Sequence, residues 1–388
     1  MAFAAAPSPR LARAPTCRRL RAAASPRASA AAAPAASPPV FDAPPLLAAE
    51  PAAVVASASA FAPATVANLG PGFDYLGAAV DAQGDVVTAT LRRDLPGGTV
   101  VITSSQGDGG RLSLEAGKNC CGIAAAATLR LLNVTSVGVS LACRKGLPLG
   151  SGLGSSAASA AAAAWAVNLL FGAPLSKAQL VAAGLASEAA VSGYHADNIA
   201  PALMGGFVLV RSYSPTLELQ PLPFGGEPSG LWFSLVTPVF EAPTREMRAA
   251  LPKNMSMQTH VANSAAGAGL VAGILMGDVA MLGKALGDDT IVEPARGPLI
   301  PGFAAVKAAA MASGALGCTI SGAGPTVVAV VGSADAGRAV ATAMATAFKR
   351  HGGLDVAYAG VAALCAGGAR ACGADDAGAG GDGHVRLV

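Results

Sequence analysis

The segment Pro148-Leu149-Gly150-Ser151-Gly152-Leu153-Gly154-Ser155-Ser156 joins two runs of opposite pattern. Residues 137–143 before it alternate apolar and polar, which is the period of a strand. After it comes an alanine-rich run to about residue 170, which reads as a helix. A strand, a loop alternating glycine and serine, and a helix N-terminus together describe an anion site. Glycines let backbone N–H groups approach an oxyanion, serines add hydroxyl donors, and the helix dipole favours negative charge. The loop is not a Walker A motif, since no Gly-Lys-Ser/Thr is present. It is not a dinucleotide fingerprint either, because Gly150, Gly152 and Gly154 have the wrong spacing and no acidic strand end follows. A flexible linker would also carry Gly and Ser, so the loop gains weight only from its neighbours.

Outward from the loop, residues 85–93 and 99–104 are expected to form a hairpin through residues 95–98. Helices are expected at 119–133, from Ser176 to about 190, and at 243–251, 260–276, 301–313 and 335–351. Strands are expected at 206–211, 231–237, 318–320 and 327–331, with a short last strand over 384–388. The order is mixed α+β rather than strict βαβ. Residues 214–230 are rich in Pro, Gly and Ser and place a domain junction near 225; residues 366–383 read as loose.

Composition removes several classes of function. The chain has 388 residues, of which 92 are Ala and 48 Gly, and only 4% are aromatic. Alanine raises the mean hydropathy without making a segment lipid-soluble. The nearest membrane-like run, 157–171, is mostly alanine and contains Ser159 and Asn168, so no membrane role is expected. The net charge of +3 has a local origin. The first 41 residues hold six arginines and no Asp, Glu or Lys, and without that +6 the remainder stands at −3. Such a balance gives no general attraction for nucleic acid. Seven scattered cysteines and four histidines show no metal spacing. Residues 1–55 are rich in Ala, Pro, Arg and Ser, lack an apolar h-region and have the composition of an organellar transit peptide. Proline interrupts any amphipathic helix there, which points to the plastid stroma before the mitochondrion.

Two further motifs stand in order around the loop. The first is Phe61-Ala-Pro-Ala-Thr-Val-Ala-Asn-Leu-Gly-Pro-Gly-Phe-Asp74, with Asn68 and Asp74 among glycines. Turn chemistry alone would account for it. The other is Gly317-Cys-Thr-Ile-Ser-Gly-Ala-Gly-Pro325, a second glycine loop containing Gly322 and Gly324.

The three motifs together resemble the GHMP kinase family over about residues 57–365. The stretches 63–74, 187–198, 242–248 and 293–301 are similar to the branch that phosphorylates the hydroxyl of L-homoserine, on the route to threonine. The resemblance implies a two-domain α+β fold. Residues 56–225 would form an N-terminal domain of ribosomal protein S5 domain 2 type, and 226–365 a ferredoxin-like C-terminal domain. Residues 366–388 are left as a tail. It further implies ATP and Mg²⁺ as cofactors, L-homoserine as acceptor, and a homodimer. Residues 147–158 match the phosphate loop, Ser156 and Glu188 the magnesium ligands, and Asn119 an adenine-side position. Asn68, Asp74, His195 and Asn198 match positions around the amino-acid substrate and stand as the catalytic candidates. Arg248 and Arg296 match the arginines that grip its carboxylate, a task that suits a forked guanidinium. Thr244 lies one helical turn before Arg248 and shares its face.

Asn198 stands where other members of the family carry a catalytic Asp, as it does in this branch, so the resemblance implies direct in-line transfer without a strong base. Asp74 would either polarise the hydroxyl or bind the substrate ammonium. Val66 departs from the family, where Ser is frequent. Other readings are a kinase of mevalonate or shikimate type and a non-catalytic S5-fold binding protein; the paired arginines weigh against the first, Ser156 and Glu188 against the second.

Overall fold

Val and Thr at alternating positions make the strands, and alanine makes the helices that lie on them. The computed structural model describes residues 45–191, 193–227, 230–373 and 384–387. The arginine-rich stretch read as a transit peptide lies outside the described residues up to position 44. The first half runs β1 (Ser57–Ala67), β2 (Leu76–Arg92), β3 (Val100–Gln106), α1 (Cys120–Leu131), β4 (Gly138–Arg144), α2 (Ser155–Leu170), α3 (Lys177–Val191), α4 (Ile199–Met204), β5 (Phe207–Ser212) and β6 (Glu218–Leu222). The second runs β7 (Trp232–Pro238), α5 (Thr244–Ala249), α6 (Met257–Met276), α7 (Val279–Gly287), α8 (Val292–Arg296), α9 (Phe303–Ala312), β8 (Gly317–Ile320), β9 (Val327–Val331), α10 (Ala334–Ala347), β10 (Val356–Ala363), β11 (Arg370–Cys372) and β12 (His384–Arg386).

Two sheets organise these elements, and the fold is mixed α+β. The first has the order β11-β1-β2-β4-β3, with β5 beside β2 and β6 beside β5. The second is antiparallel, in the order β12-β10-β7-β9-β8. α2 lies against β1 and β2, flanked by α1 and α3, while α10 covers β7 and β10. Ala157, Ala158, Ala160 to Ala164 and Ala166 are all fully buried apart from the half-turn at Trp165. Larger side chains at these fully buried positions would have to displace their neighbours, and overpacking costs about 1–3 kcal/mol.

Three further expectations change. The hairpin of 85–93 with 99–104 does not form. β4 pairs antiparallel with β2 and parallel with β3, so it separates them, and α1 makes the crossover. The turn packs forward rather than back: Gly98 N donates to Val137 O at 2.9 Å. Residues 370–372, read as loose, form β11 and pair with residues 59–61 of β1; residues 374–383 lie outside the described residues. Among the described residues one helix, α6, has the length and composition to cross a membrane, rather than the 157–171 run. It carries Gln258, His260, Asn263 and Ser264 and packs along α7, Gly273 meeting Leu282 closely.

Candidate active site

The glycine loop runs from the end of β4 to the start of α2. Gly150, Gly152 and Gly154 all adopt left-handed φ, of 66°, 81° and 67°. Space as well as conformation demands glycine at two of them. A Cβ on Gly152 would sit 2.6 Å from Ser321 O, and one on Gly154 would sit 2.0 Å from Thr65 Oγ1. The loop's carbonyls, which would repel an anion, are held by neighbours. Thr326 donates to Ser151 O from N (3.1 Å) and Oγ1 (2.6 Å), Ser321 Oγ to Gly152 O (2.7 Å), and Thr65 N to Leu153 O (3.1 Å). The first and third motifs are thus the loop's scaffold, and α2 begins at its end.

The opposite end is made of charged side chains on a strained turn after β1. Asn68, Leu69 and Asp74 have φ of 68°, 47° and 63°, values L-residues avoid unless the surroundings enforce them. Asn68 enforces them here: its Oδ1 accepts from Asp74 N (3.0 Å) and its Nδ2 donates to Gly322 O (2.8 Å). Tyr213 Oη donates to Asp74 O (2.9 Å) and accepts from Ala196 N (2.9 Å), tying the turn to the segment that carries His195. Arg248 grips the Asp74 carboxylate with both fork nitrogens, at 2.9 and 2.8 Å. His195 Nδ1 stands 3.6 Å from the same carboxylate. Arg296 is buried; its Nε donates to Met247 O (3.0 Å) and its Nη1 to Gly322 O (3.1 Å). The Phe73 ring stands 5.1 Å from the Arg248 guanidinium and 5.0 Å from that of Arg296.

The electrostatics of the two arginines differ. The hydrogen bonds it donates to the Asp74 carboxylate hold Arg248 above the usual range. Burial, aided by the Arg248 charge, pulls Arg296 down to about 10. No carboxylate among the described residues pairs with Arg296, so a ligand anion is what its environment lacks. Burial also lowers His195, against the opposing pull of Asp74, which favours a neutral ring. Asp197 is pushed up to about 7 by burial, then by the charges of Asp74 and Glu188. Its Oδ1 is buried and makes no hydrogen bond among the described residues.

Both ends open into one cavity of about 530 Å³. Every site residue expected from the sequence lines it except Pro148 and Leu153. Proline has no N–H to offer, and Leu153 is buried with its carbonyl occupied, so these two shape the loop without facing a ligand. Asn119 lines the cavity, but its side chain caps α1, accepting from Cys121 N (2.9 Å) and donating to Ser113 O (2.8 Å). Gly322 and Gly324 also line it, with their amides already donated to Ala67 O (3.0 Å) and Ser321 O (2.8 Å). Asn198 Oδ1 accepts from Thr65 Oγ1 at 2.7 Å. Thr244 opens α5 and Arg248 lies on the same short helix, facing the cavity with it. Ser156 and the buried Glu188 supply two oxygen donors to the same wall. That set fits a magnesium ion that shares phosphate oxygens, because magnesium takes one or two protein carboxylates or hydroxyls and fills its other positions with phosphate and water. Phe73, Tyr213 and Thr65 escaped the sequence reading; only Phe73 and Thr65, inside the first motif, carried any local signal.

A glycine-loop anion site and an acceptor end with two arginines and a carboxylate, sharing one cavity between two α+β halves, define a small-molecule phosphotransferase. Residues 119–206 match the family described as GHMP kinases N terminal domain, and residues 270–350 that described as GHMP kinases C terminal. The chain belongs to the GHMP kinase family. Its similar relatives within the family are homoserine kinases. That of Arabidopsis thaliana is 57% identical over 309 residues, spanning 80% of this chain and 83% of that protein. That of Chlorobaculum tepidum is 42% identical over 323 residues, spanning 80% and 96%. The crystal structure of homoserine kinase from Cytophaga hutchinsonii is 42% identical and covers 83% of this chain and 99% of its own, with a TM-score of 0.75. Mevalonate kinase of L. major, solved with R-mevalonate, has a TM-score of 0.58 at 16% identity and shares the fold alone.

Proposed function

We propose that this chain transfers the γ-phosphoryl group of Mg-ATP to the hydroxyl of L-homoserine, giving O-phospho-L-homoserine and ADP. The observation that carries the reading is the Asp74–Arg248 fork with Arg296 beside it, in the cavity of the glycine loop. An amino acid brings one ammonium and one carboxylate. Its ammonium meets Asp74, and its carboxylate meets Arg296 and the Arg248 fork, so each protein charge exchanges or gains a partner without leaving a buried charge alone. Mevalonate and shikimate carry a carboxylate but no ammonium, and galactose carries neither.

The chain's contribution is positioning and charge stabilisation. Loop amides and the N-terminus of α2 receive the phosphates, and Ser156 and Glu188 hold the magnesium ion. That ion, when bound, neutralises charge on the triphosphate. Asn68, Asp74 and His195 orient the acceptor so that its hydroxyl oxygen lies in line with the γ-phosphorus. The new O–P bond forms as the bond to the β–γ bridging oxygen breaks, ADP leaves with that bond's electron pair, and the hydroxyl proton passes to an oxygen of the transferred phosphoryl group and on to water. Asn198 is an amide and takes no proton; a loose transition state needs no strong base, and holding two reactants in line supplies most of the acceleration. ADP release measured with homoserine, mevalonate, shikimate and galactose in turn tests the reading: turnover on homoserine is expected, and its absence would refute the proposal.

The composition of residues 1–55 supports import into the plastid stroma, checked by the location of a fusion carrying residues 1–60. Retention in the cytosol would refute it. A homodimer, checked by light scattering, is proposed on family grounds.

A further inference from the structure

Beneath the glycine loop lies a buried ion pair that the transfer reaction does not use. Asp85 stands in β2 and Lys145 directly follows β4; their side chains are 1% and 2% exposed. Lys145 Nζ donates to Asp85 Oδ2, to Ser155 O at 2.7 Å and to Ser159 Oγ at 2.7 Å. An ammonium has three protons, and all three are spent inside the protein. Lys145 lines the cavity, yet it has no donor left for a phosphate. Asp85 in turn accepts from Gly146 N (2.9 Å) and Leu147 N (3.2 Å) through Oδ1, and from Ser159 Oγ (2.6 Å) through Oδ2.

These bonds have one common geometry. Gly146 and Leu147 lead into the loop, and Ser155 and Ser159 lead out of it on the first two turns of α2. The pair and the Ser159 hydroxyl therefore span the base of the loop and fix the separation of its two ends. Ser155 Oγ donating to Leu147 O at 3.3 Å closes the same gap. Fold stability is a weak reason for such a pair, because desolvating two charges offsets most of their attraction and an apolar pair of the same size is often as stable. A loop of glycines and serines, however, has few side chains with which to hold its own shape, so its precision must come from its flanks.

We propose that Asp85, Lys145 and Ser159 form a clasp that sets the span of the glycine loop and thereby aligns its amides with the ATP phosphates. They are positioning residues; none touches a reactant. The inference rests on the kinase reading above, and the two fail separately. A wild-type chain without homoserine-dependent ADP release refutes the kinase reading, whereas an active chain indifferent to the clasp refutes only the clasp.

The test is steady-state kinetics of the full chain, with binding of a non-hydrolysable ATP analogue and thermal melts alongside. The double variant Asp85→Leu/Lys145→Met keeps the volume and removes the bridges. It is expected to fold, to raise the KM for ATP and the analogue Kd at least tenfold, and to leave the homoserine KM within twofold. Asp85→Asn/Lys145→Gln keeps hydrogen bonding without charge and is expected to recover ATP binding to within about threefold. Ser159→Ala, a small change that folds under any reading, is expected to raise the ATP KM several-fold. A folded apolar double variant with wild-type ATP affinity overturns the proposal, as does an equal rise in both KM values. Should the double variant not fold, an unchanged ATP KM in Ser159→Ala overturns it alone.

Discussion

At the nucleotide end of the cavity, the groups that face a ligand are main-chain amides and small hydroxyls held by left-handed glycines and by stitches from two other motifs. At the acceptor end they are charged side chains, an Asp–Arg fork and a second guanidinium, set around an aromatic ring. The first kind of site fails when an atom is added, because the backbone has no room. The second kind fails when a charge is removed, because its partners are left buried and unpaired. The two ends should therefore respond oppositely to substitution, and each should leave the affinity of the other intact.

The largest effect is expected where the ends meet. Glu188→Gln should lower kcat by about 10³-fold or more, since it removes a preorganised charge from the transferring group; single-turnover rates check this, and a kcat near wild type would remove Glu188 from the magnesium site. Gly152→Ala comes next. Its new Cβ meets Ser321 O and Gly324 O at under 3 Å and φ +81°, and a misplaced loop should cost about 10²-fold in kcat/KM for ATP with the homoserine KM unchanged. Arg296→Ala should do the reverse. Losing one charged carboxylate contact of about 2–3 kcal/mol raises the homoserine KM roughly 30- to 150-fold and spares the ATP KM. Phe73→Leu should raise the homoserine KM about 5- to 30-fold, from two cation–π contacts of about 0.5–1 kcal/mol each.

The smallest effect is on stability. The folded pKa of Asp197 is raised to about 7, so the native state holds a proton that the unfolded chain releases near pH 4. The stability this proton gives is complete below about pH 4 and is lost as pH rises through 7. Asp197→Asn should consequently melt a few degrees above the parent at pH 8, with the gap closing towards pH 4. An equal gap at both pH values would contradict the assignment.

The contrast between the ends also explains what could be read from the sequence. The nucleotide end was legible because backbone sites write themselves as local glycine patterns: Gly150, Gly152 and Gly154 stand in one run, next to a strand and a helix. The acceptor end was legible only by resemblance, because Asp74, His195, Arg248 and Arg296 lie far apart in the chain and none has a local signature. The clasp was invisible for the same reason, with Asp85 in β2 and Lys145, just past the end of β4, sixty residues apart. Tyr213 sits at a strand end with nothing beside it to mark a role. Among elements, α7 and α8 were missed because Gly283 and Pro294 interrupt their patterns. A Cβ on Gly283 would sit 2.6 Å from Leu316, and Pro294 falls in the first turn of α8, where a missing N–H costs little. The hairpin error came from assuming that adjacent strands pair, when the buried helix α1 required a crossover.

The claim that the acceptor end reads both charges of an amino acid is met most directly by ADP release with Mg-ATP and three acceptors that share the spacing from the hydroxyl to each charge they keep. L-homoserine carries both charges, 4-hydroxybutyrate lacks the ammonium, and 3-amino-1-propanol lacks the carboxylate. Homoserine should be turned over, with kcat/KM at least about 10²-fold lower for each analogue, the loss expected when a buried charge is left without its partner. Turnover of 4-hydroxybutyrate or 3-amino-1-propanol at the homoserine rate would contradict the account.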